Sequence, residues 1–471
     1  MTIVQIAILA LVAVVIGRLF KGRELALLAV STFVVFWLQP VQPLVTLSFW
    51  IPIATLTITI LAWVLTSPAE MRSWKLNWPA VAVLVGVALL MDANHYFKLD
   101  QIFVTDTPRL HLALGALVAI AAALFVLARF LKSNRFLLVV LFAIIILIFV
   151  FLKSPGLMET ILSRFSNIPG TDPNQPLTSL SWLGFSYLAF RILHTIRDRQ
   201  SGRLPSVTLG EYVNYVIFFP AFTAGPIDRI ERFVKELRIP LLLDNEAWLD
   251  AGTRLFVGLF KKFVLAEMLS VISLSDIMVS QVKTSGWMWV FLYAYTFQIY
   301  FDFSGYTDVA IGLGRLIGIR LPENFVAPYL KPNLTQFWNS WHITLTQWFR
   351  SYFFNPVTRS IRSSKRPWPV WTIILVTQIS TMVLIGLWHG IAWSFVLWGL
   401  WHGLGLFIQN RWSDFVRNRM PAWTQTRNGQ VALNVTGVFL TFNFVALGWL
   451  FFNLSTPEIA LQAMRKLFGL A

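Results

Sequence analysis

The chain has 471 residues, of which 56% are hydrophobic and only 13% charged, where a soluble domain of this size carries roughly 25% charged residues. It contains no cysteine, which excludes disulfides, thiol nucleophiles, cysteine-held metal and palmitoylation. A net charge of +16 raises the question of a nucleic-acid partner, and the placement of the basic residues answers it below.

In chain order, apolar stretches near residues 3–17, 25–41, 44–66, 79–91, 111–131, 136–153 and 178–196 meet or approach the ~20 residues that a spanning helix needs. Further ones lie near 253–273, 287–313, 370–388, 391–409 and 431–452. Residues 136–152 hold no polar side chain at all, between Arg135 and Lys153. A water-facing helix must keep a polar face, so lipid is the solvent this pattern requires. The first stretch has neither a basic start nor a small-residue cleavage site, and reads as a membrane helix rather than a signal peptide. The sequence thus predicts an all-α polytopic membrane protein with about 11–13 transmembrane or re-entrant helices.

Basic residues gather in every second loop: Arg18, Lys21 and Arg23; Arg72 and Lys75; Arg129, Lys132 and Arg135; Arg197, Arg199 and Arg203. The loops between hold only Lys98, Arg109, Lys153 and Arg164, among several acidic residues. That alternation is the positive-inside pattern, with the N-terminus outside, and not a nucleic-acid footprint; no nucleic-acid partner is expected.

Residues 1–176 read as plain apolar helices, and 177–471 as a functional membrane core in one continuous membrane domain. Within the second part, 210–226 is too short and broken to span, and 321–360 combines Pro322, Pro328, Pro332 and Pro356 with many aromatics. Such irregular segments are tolerated only where protein covers the freed backbone. On a helical wheel, residues 334–350 place Phe337, Trp338, Trp341, Leu345, Trp348 and Phe349 on one arc. Gln336, Asn339, His342, Thr346, Gln347 and Arg350 fall on the other, a pattern that serves an interfacial anchor as well as a site.

A pentapeptide then occurs twice, as Gly386-Leu387-Trp388-His389-Gly390 and Gly399-Leu400-Trp401-His402-Gly403. Histidines within apolar helices demand a partner or a function. The charge pattern places His389 near the turn of a helical hairpin and His402 deeper, which makes His389 the site candidate and His402 the structural one. His95 and His111 flank the loop 92–110, and His194, beside Arg191 and Arg197, suits a solvated helix end; each reads as structural. Asp302 and Asp308 sit in an apolar region and must be paired there, ordering the core or lining a tunnel.

The chain has no G-x-S-x-G elbow, H-E-x-x-H pair, P-loop or dinucleotide fingerprint, so neither a bound cofactor nor a metal is expected. Histidine acid–base chemistry remains. A neutral imidazole can take the proton of an acceptor hydroxyl as it attacks an activated acyl carbonyl. Donors for the oxyanion are available in Asn339, Gln336, Thr346 or a tryptophan N–H. Transporter or flippase and non-catalytic scaffold are the competing readings. A transporter predicts matching broken helices in two halves, whereas here the broken segments lie only in the second.

From Leu177 to Leu470 the chain resembles the membrane-bound O-acyltransferase (MBOAT) family. The residues that carry the resemblance are Ala224-Gly-Pro-Ile-Asp-Arg229, Gly258-Leu-Phe-Lys-Lys262, Tyr300-Phe-Asp-Phe-Ser-Gly-Tyr306, Glu323-Asn324-Phe325 with Pro328-Tyr329, Phe337-Trp338 with Trp341-His342-Ile343, and Gly386-Leu-Trp-His-Gly390. The 224–233 and 184–190 segments look DltB-like, the branch that sends D-alanine to teichoic acid. Gly448-Trp-Leu-Phe-Phe452 looks AlgI-like, the alginate O-acetylation branch. The resemblance implies a ring of helices around a central tunnel in a bacterial inner membrane, multi-pass. It implies that His389 is the catalytic base and His342 a second functional histidine. Asn339, Gln336, Thr346, Trp341, Arg350 and Asp302 are the candidates to contact substrate. The donor would be an acyl-carrier-protein thioester or acetyl-CoA on the cytosolic side. Arg359, Arg362, Lys365 and Arg366 are candidates to dock it, although charge alone favours a topology signal for that run. On the outer side the implied partners are an envelope glycopolymer or an accessory acyltransferase, with membrane lipid around.

Overall fold

A computed structural model describes the chain except residues 20, 43–45, 98–107, 131–134, 166–179, 240–243, 365–367, 421–425 and 471. Lys98, Lys132, Lys365, Arg366 and the 176/177 boundary, which the sequence reading invoked, therefore lie outside the described residues. Among the described residues there is no β-strand, only one isolated antiparallel bridge between Phe325 and Trp341. The protein is an all-α polytopic membrane protein. By internal contacts the chain divides into two compact units, one of Met1–Leu255 with Val309–Leu321, the other of Phe256–Asp308 with Pro322–Ala471.

The first unit begins with α1 (Ile3–Gly17), α2 (Arg23–Trp37), α3 (Leu47–Thr66), α4 (Trp74–Phe97), α5 (Leu110–Phe130), α6 (Arg135–Lys153) and α7 (Pro155–Leu162). It continues with α8 (Phe185–Gln200), α9 (Leu209–Ile217) and α10 (Ile230–Arg238). Leu47–Thr66, Trp74–Ala93, His111–Phe130 and Arg135–Lys153 are long and apolar enough to cross a membrane by length and composition. The last two leave most of their apolar surface uncovered by protein, which suits only a lipid surround.

The broken segment 210–226 is deeply buried, and its sequence explains how that is possible. Thr208 and Glu211 form a reciprocal capping box that starts α9, and Arg238 ion-pairs with the same Glu211 carboxylate. Where α9 stops, its last carbonyls lose their helical partners. Arg191, on α8 and fully buried, donates to the carbonyls of Tyr215 (3.3 Å), Val216 (2.8 Å) and Ala221 (2.9 Å). One guanidinium thus supplies the donors that the chain break removes.

His194 corrects an expectation. It is 1% exposed rather than solvated, its Nδ1 lies 3.0 Å from the Tyr215 hydroxyl, and its Nε2 lies 3.1 Å from the Asp198 carboxylate. The neighbours Arg191 and Arg197 suggested water, but Arg191 is itself buried, and one helical turn carries both the buried Asp198 and the exposed Arg197.

In the second unit, α11 (Asn245–Phe260), which starts in the first, runs into a π-helical turn, Lys261–Ala266, and then α12 (Glu267–Ser270). After α13 (Asp276–Gln281) comes α14 (Ser285–Ile317), 33 residues long, whose last turns belong to the first unit. The proline-rich region forms only short pieces: α15 (Leu334–Trp338), α16 (Ile343–Phe349), a π-helical turn Arg350–Phe354, and α17 (Asn355–Arg362). Then come α18 (Val370–His389), α19 (Trp393–Arg419), α20 (Arg427–Asn453) and α21 (Pro457–Leu467). Val370–His389 and Arg427–Asn453 complete the six described helices that meet the span criterion; the other predicted stretches form shorter or more polar helices.

The duplicated pentapeptide is first of all a packing device. A Cβ on Gly386 would lie 2.2 Å from the Phe395 carbonyl oxygen, one on Gly399 2.6 Å from that of Met382, and one on Gly403 2.8 Å from the Ile379 Cα. The glycines let the α18 and α19 backbones touch, the small-residue mode of helix pairing in membranes.

Candidate active site

His389 ends α18, and its hairpin turn to α19 spans only Gly390–Ala392, as the charge pattern predicted. The ring is half-buried in an aromatic chamber, with centroids 4.4 Å from Trp388, 4.7 Å from Phe452 and 5.8 Å from Trp398. His342 reaches the same chamber from another element: its ring lies 5.9 Å from Trp388 and 4.7 Å, edge-on, from Phe303 of α14. The two histidines therefore share contact with one tryptophan. Trp341, 5% exposed, extends the chamber by packing on Trp449 at 5.2 Å and Phe325 at 5.1 Å.

The continuous helix expected over 334–350 is instead two short ones, and His342 is the residue between them. It occupies the left-handed region, with φ 42° and ψ 53°, a conformation that is costly outside glycine and that collects at functional sites. The neighbouring strand-like segment fixes it there. Asn324 accepts the Ile343 N–H at its backbone oxygen (3.0 Å), and Val326 donates to the Ser340 carbonyl (3.0 Å). The Asn324 side-chain oxygen meets the Thr344 N–H (3.1 Å), the Thr344 hydroxyl (2.8 Å) and His342 Nδ1 (3.2 Å). Helical periodicity could not reveal this break, because both halves keep their apolar faces inward: Phe337, Trp338, Trp341, Leu345 and Phe349 are all buried.

Other candidates fall elsewhere. Asn339 and Arg350 are exposed and bonded to each other, at 2.6 Å, and Gln336 is exposed. Thr346 is half-buried, with a hydroxyl that meets no partner among the described residues. Asp302 is half-exposed rather than buried and pairs with Lys262, while Asp308 pairs with Lys261 at 2.7 Å. A Cβ on Gly305 would lie 2.7 Å from the Gly258 carbonyl oxygen. The Gly258–Lys262 and Tyr300–Asp308 motifs thus form one close helix contact closed by two ion pairs. Arg359 and Arg362 end α17 and are exposed.

His402 is fully buried against Trp338 (5.2 Å) and Trp398 (4.9 Å), and neither ring nitrogen meets a partner among the described residues. Asn324, Arg191 and the lysine pair are functional or structural residues whose roles the sequence did not reveal. Only the order of the motifs around Asn324 and Lys261–Lys262 hinted at them.

This is a helical membrane protein in which two histidines pack on one tryptophan, and its sequence offers no serine or cysteine nucleophile motif. Residues 116–451 match the family described as MBOAT, membrane-bound O-acyltransferase. The chain belongs to this family and is an O-acyltransferase.

Its relatives include a teichoic acid D-alanyltransferase of Streptococcus thermophilus, 32% identical over 58% of this chain and 68% of that protein. A probable alginate O-acetylase AlgI of Azotobacter vinelandii is 32% identical over 64% of this chain and 56% of that protein. A peptidoglycan O-acetyltransferase of Helicobacter pylori is 32% identical over 55% of this chain and 47% of that protein. The match covers only about half the length of the latter two relatives.

Proposed function

We propose that the chain is a multi-pass protein of a bacterial inner membrane that moves a small acyl group, acetyl or D-alanyl, from a cytosolic thioester to a hydroxyl on the outer side. The donor is an acyl-carrier-protein thioester or acetyl-CoA. The acceptor is an envelope glycopolymer, reached directly or through an accessory acyltransferase. Support for the small acyl group and the envelope acceptor comes from the names of the D-alanyl and O-acetyl relatives.

The observation that carries the mechanism is that His389 and His342 both pack against Trp388. In this reading His389 takes the proton of the acceptor hydroxyl. The hydroxyl oxygen bonds to the thioester carbonyl carbon, the C–S bond breaks, and the departing thiolate recovers that proton from the imidazolium to leave as a thiol. A positioned base of this kind contributes ~10²–10⁴ in rate. Tryptophan N–H groups and the Thr346 hydroxyl are the donors this reading assigns to the oxyanion. Arg359 and Arg362 offer an exposed basic edge to an acidic carrier protein or to the phosphates of coenzyme A.

The test is transfer by purified protein from a labelled thioester to an acceptor polymer, wild type against His389→Ala. The reading expects loss of ester formation with unchanged insertion and purification. Full activity in the variant would sink it.

A further inference from the structure

We infer that Asn324 is a positioning residue that locks His342 in the Nδ1–H tautomer and leaves Nε2 as its proton-accepting atom, a role that rests on the acyltransfer reading above. The Thr344 backbone N–H can only donate, so the Asn324 atom 3.1 Å from it is the side-chain oxygen and not the amide nitrogen. That oxygen can only accept, so His342 Nδ1, 3.2 Å from it, carries the proton. A neutral imidazole with its proton on Nδ1 has its lone pair on Nε2.

Three further observations support the assignment. Asn324 and His342 are 0% and 2% exposed, so water does not compete for either group. His342 Nε2 meets no hydrogen-bond partner among the described residues, so none of them consumes this acceptor. The left-handed backbone of His342 is held by the Ile343–Asn324 bond, so the residue that fixes the tautomer also fixes the ring's origin. A buried acceptor on a strained, doubly anchored residue beside Trp388 suits a hydroxyl-bearing or amide-bearing ligand group, which donates one hydrogen bond to Nε2.

The experiment combines ¹⁵N spectroscopy of histidine-labelled full-length protein with a pH profile. The His342 resonances are assigned by their loss in His342→Gln. The inference expects the Nδ1–H tautomer in wild type, and in Asn324→Leu a shift toward mixed tautomers with transfer reduced about 10–100-fold. Asn324→Asp keeps the acceptor and adds a negative charge, which favours the imidazolium. It should therefore restore most of the activity while moving the acidic limb of kcat/KM upward by on the order of one pH unit.

An Nε2–H tautomer in wild type overturns the inference, whatever the activity. So does an Asn324→Leu protein that keeps both tautomer and rate. Should Asn324→Leu fail to fold, the wild-type tautomer and the Asn324→Asp profile still decide. If the chain proved inactive with every thioester, the proposed function would fall while the tautomer measurement stood.

Discussion

His194 in the first unit and His342 in the second are both almost completely buried, yet their surroundings differ in kind. His194 is held on both ring nitrogens, by the Tyr215 hydroxyl and the Asp198 carboxylate. His342 is held on one, by Asn324, and its other nitrogen meets no partner among the described residues. A histidine contacted at both ring nitrogens, by a hydrogen bond and by an ion-pair neighbour, ties α8 to the broken 210–226 segment. A half-satisfied one keeps an acceptor in reserve. Burial alone therefore does not distinguish these two histidines; the contacts of their ring nitrogens do.

The largest effect that tests this contrast is on rate. His342→Gln should lower acyl transfer by ~10²–10⁴, the range for a lost acid–base group, in protein that still inserts and purifies. His194→Gln should leave kcat within a few-fold and lower the thermal midpoint instead. Reversed outcomes would erase the distinction.

Next is Arg191→Met, which leaves the carbonyls of Tyr215, Val216 and Ala221 without their donor. At about 1–3 kcal/mol for each buried unsatisfied group, much of the stability of the first unit should be lost. Thermal unfolding in detergent reads this directly, and a midpoint equal to wild type would contradict it.

A smaller change is expected from Gly399→Ala, whose new methyl would meet the Met382 carbonyl at 2.6 Å. Overpacking of that kind costs about 1–3 kcal/mol and would displace α18, which carries His389. Both a lower midpoint and a reduced kcat are predicted, whereas Gly252→Ala, with open space around it, should be silent. The smallest effect belongs to Arg359→Ala and Arg362→Ala. Each should raise the KM for a carrier-protein or coenzyme A donor a few-fold without changing kcat, and the effect should shrink with salt.

Much of the architecture was legible in the sequence because lipid imposes simple rules. The apolar run 136–152, the breaks at 210–226 and 321–360, and the hairpin turn after His389 all follow from span length and the need to satisfy backbone groups. His389, His342 and Trp341 were identifiable as candidates, and the structure brings their rings into one aromatic chamber. The turn at His342 was not legible, since its left-handed backbone is imposed by pairing with residues 324–326, distant in sequence. Nor was the burial of His194, whose helix carries both the buried Asp198 that meets it and the exposed Arg197, nor the exposed pairing of Asn339 with Arg350. Asp302 is paired as expected but half-exposed, and the apolar sequence around it does not disclose that Lys262, 40 residues earlier, is its partner.

The central claim is that the paired histidines pass an acyl group to an envelope polymer, and the mass of that polymer tests it most directly. Teichoic acid, alginate-type polysaccharide and peptidoglycan are compared from cells that lack the chain and cells complemented with wild type or His389→Ala. The account predicts a base-labile acetyl or D-alanyl mass increment on one of these polymers with wild type alone. The same increment with His389→Ala, or no increment with wild type, would contradict it.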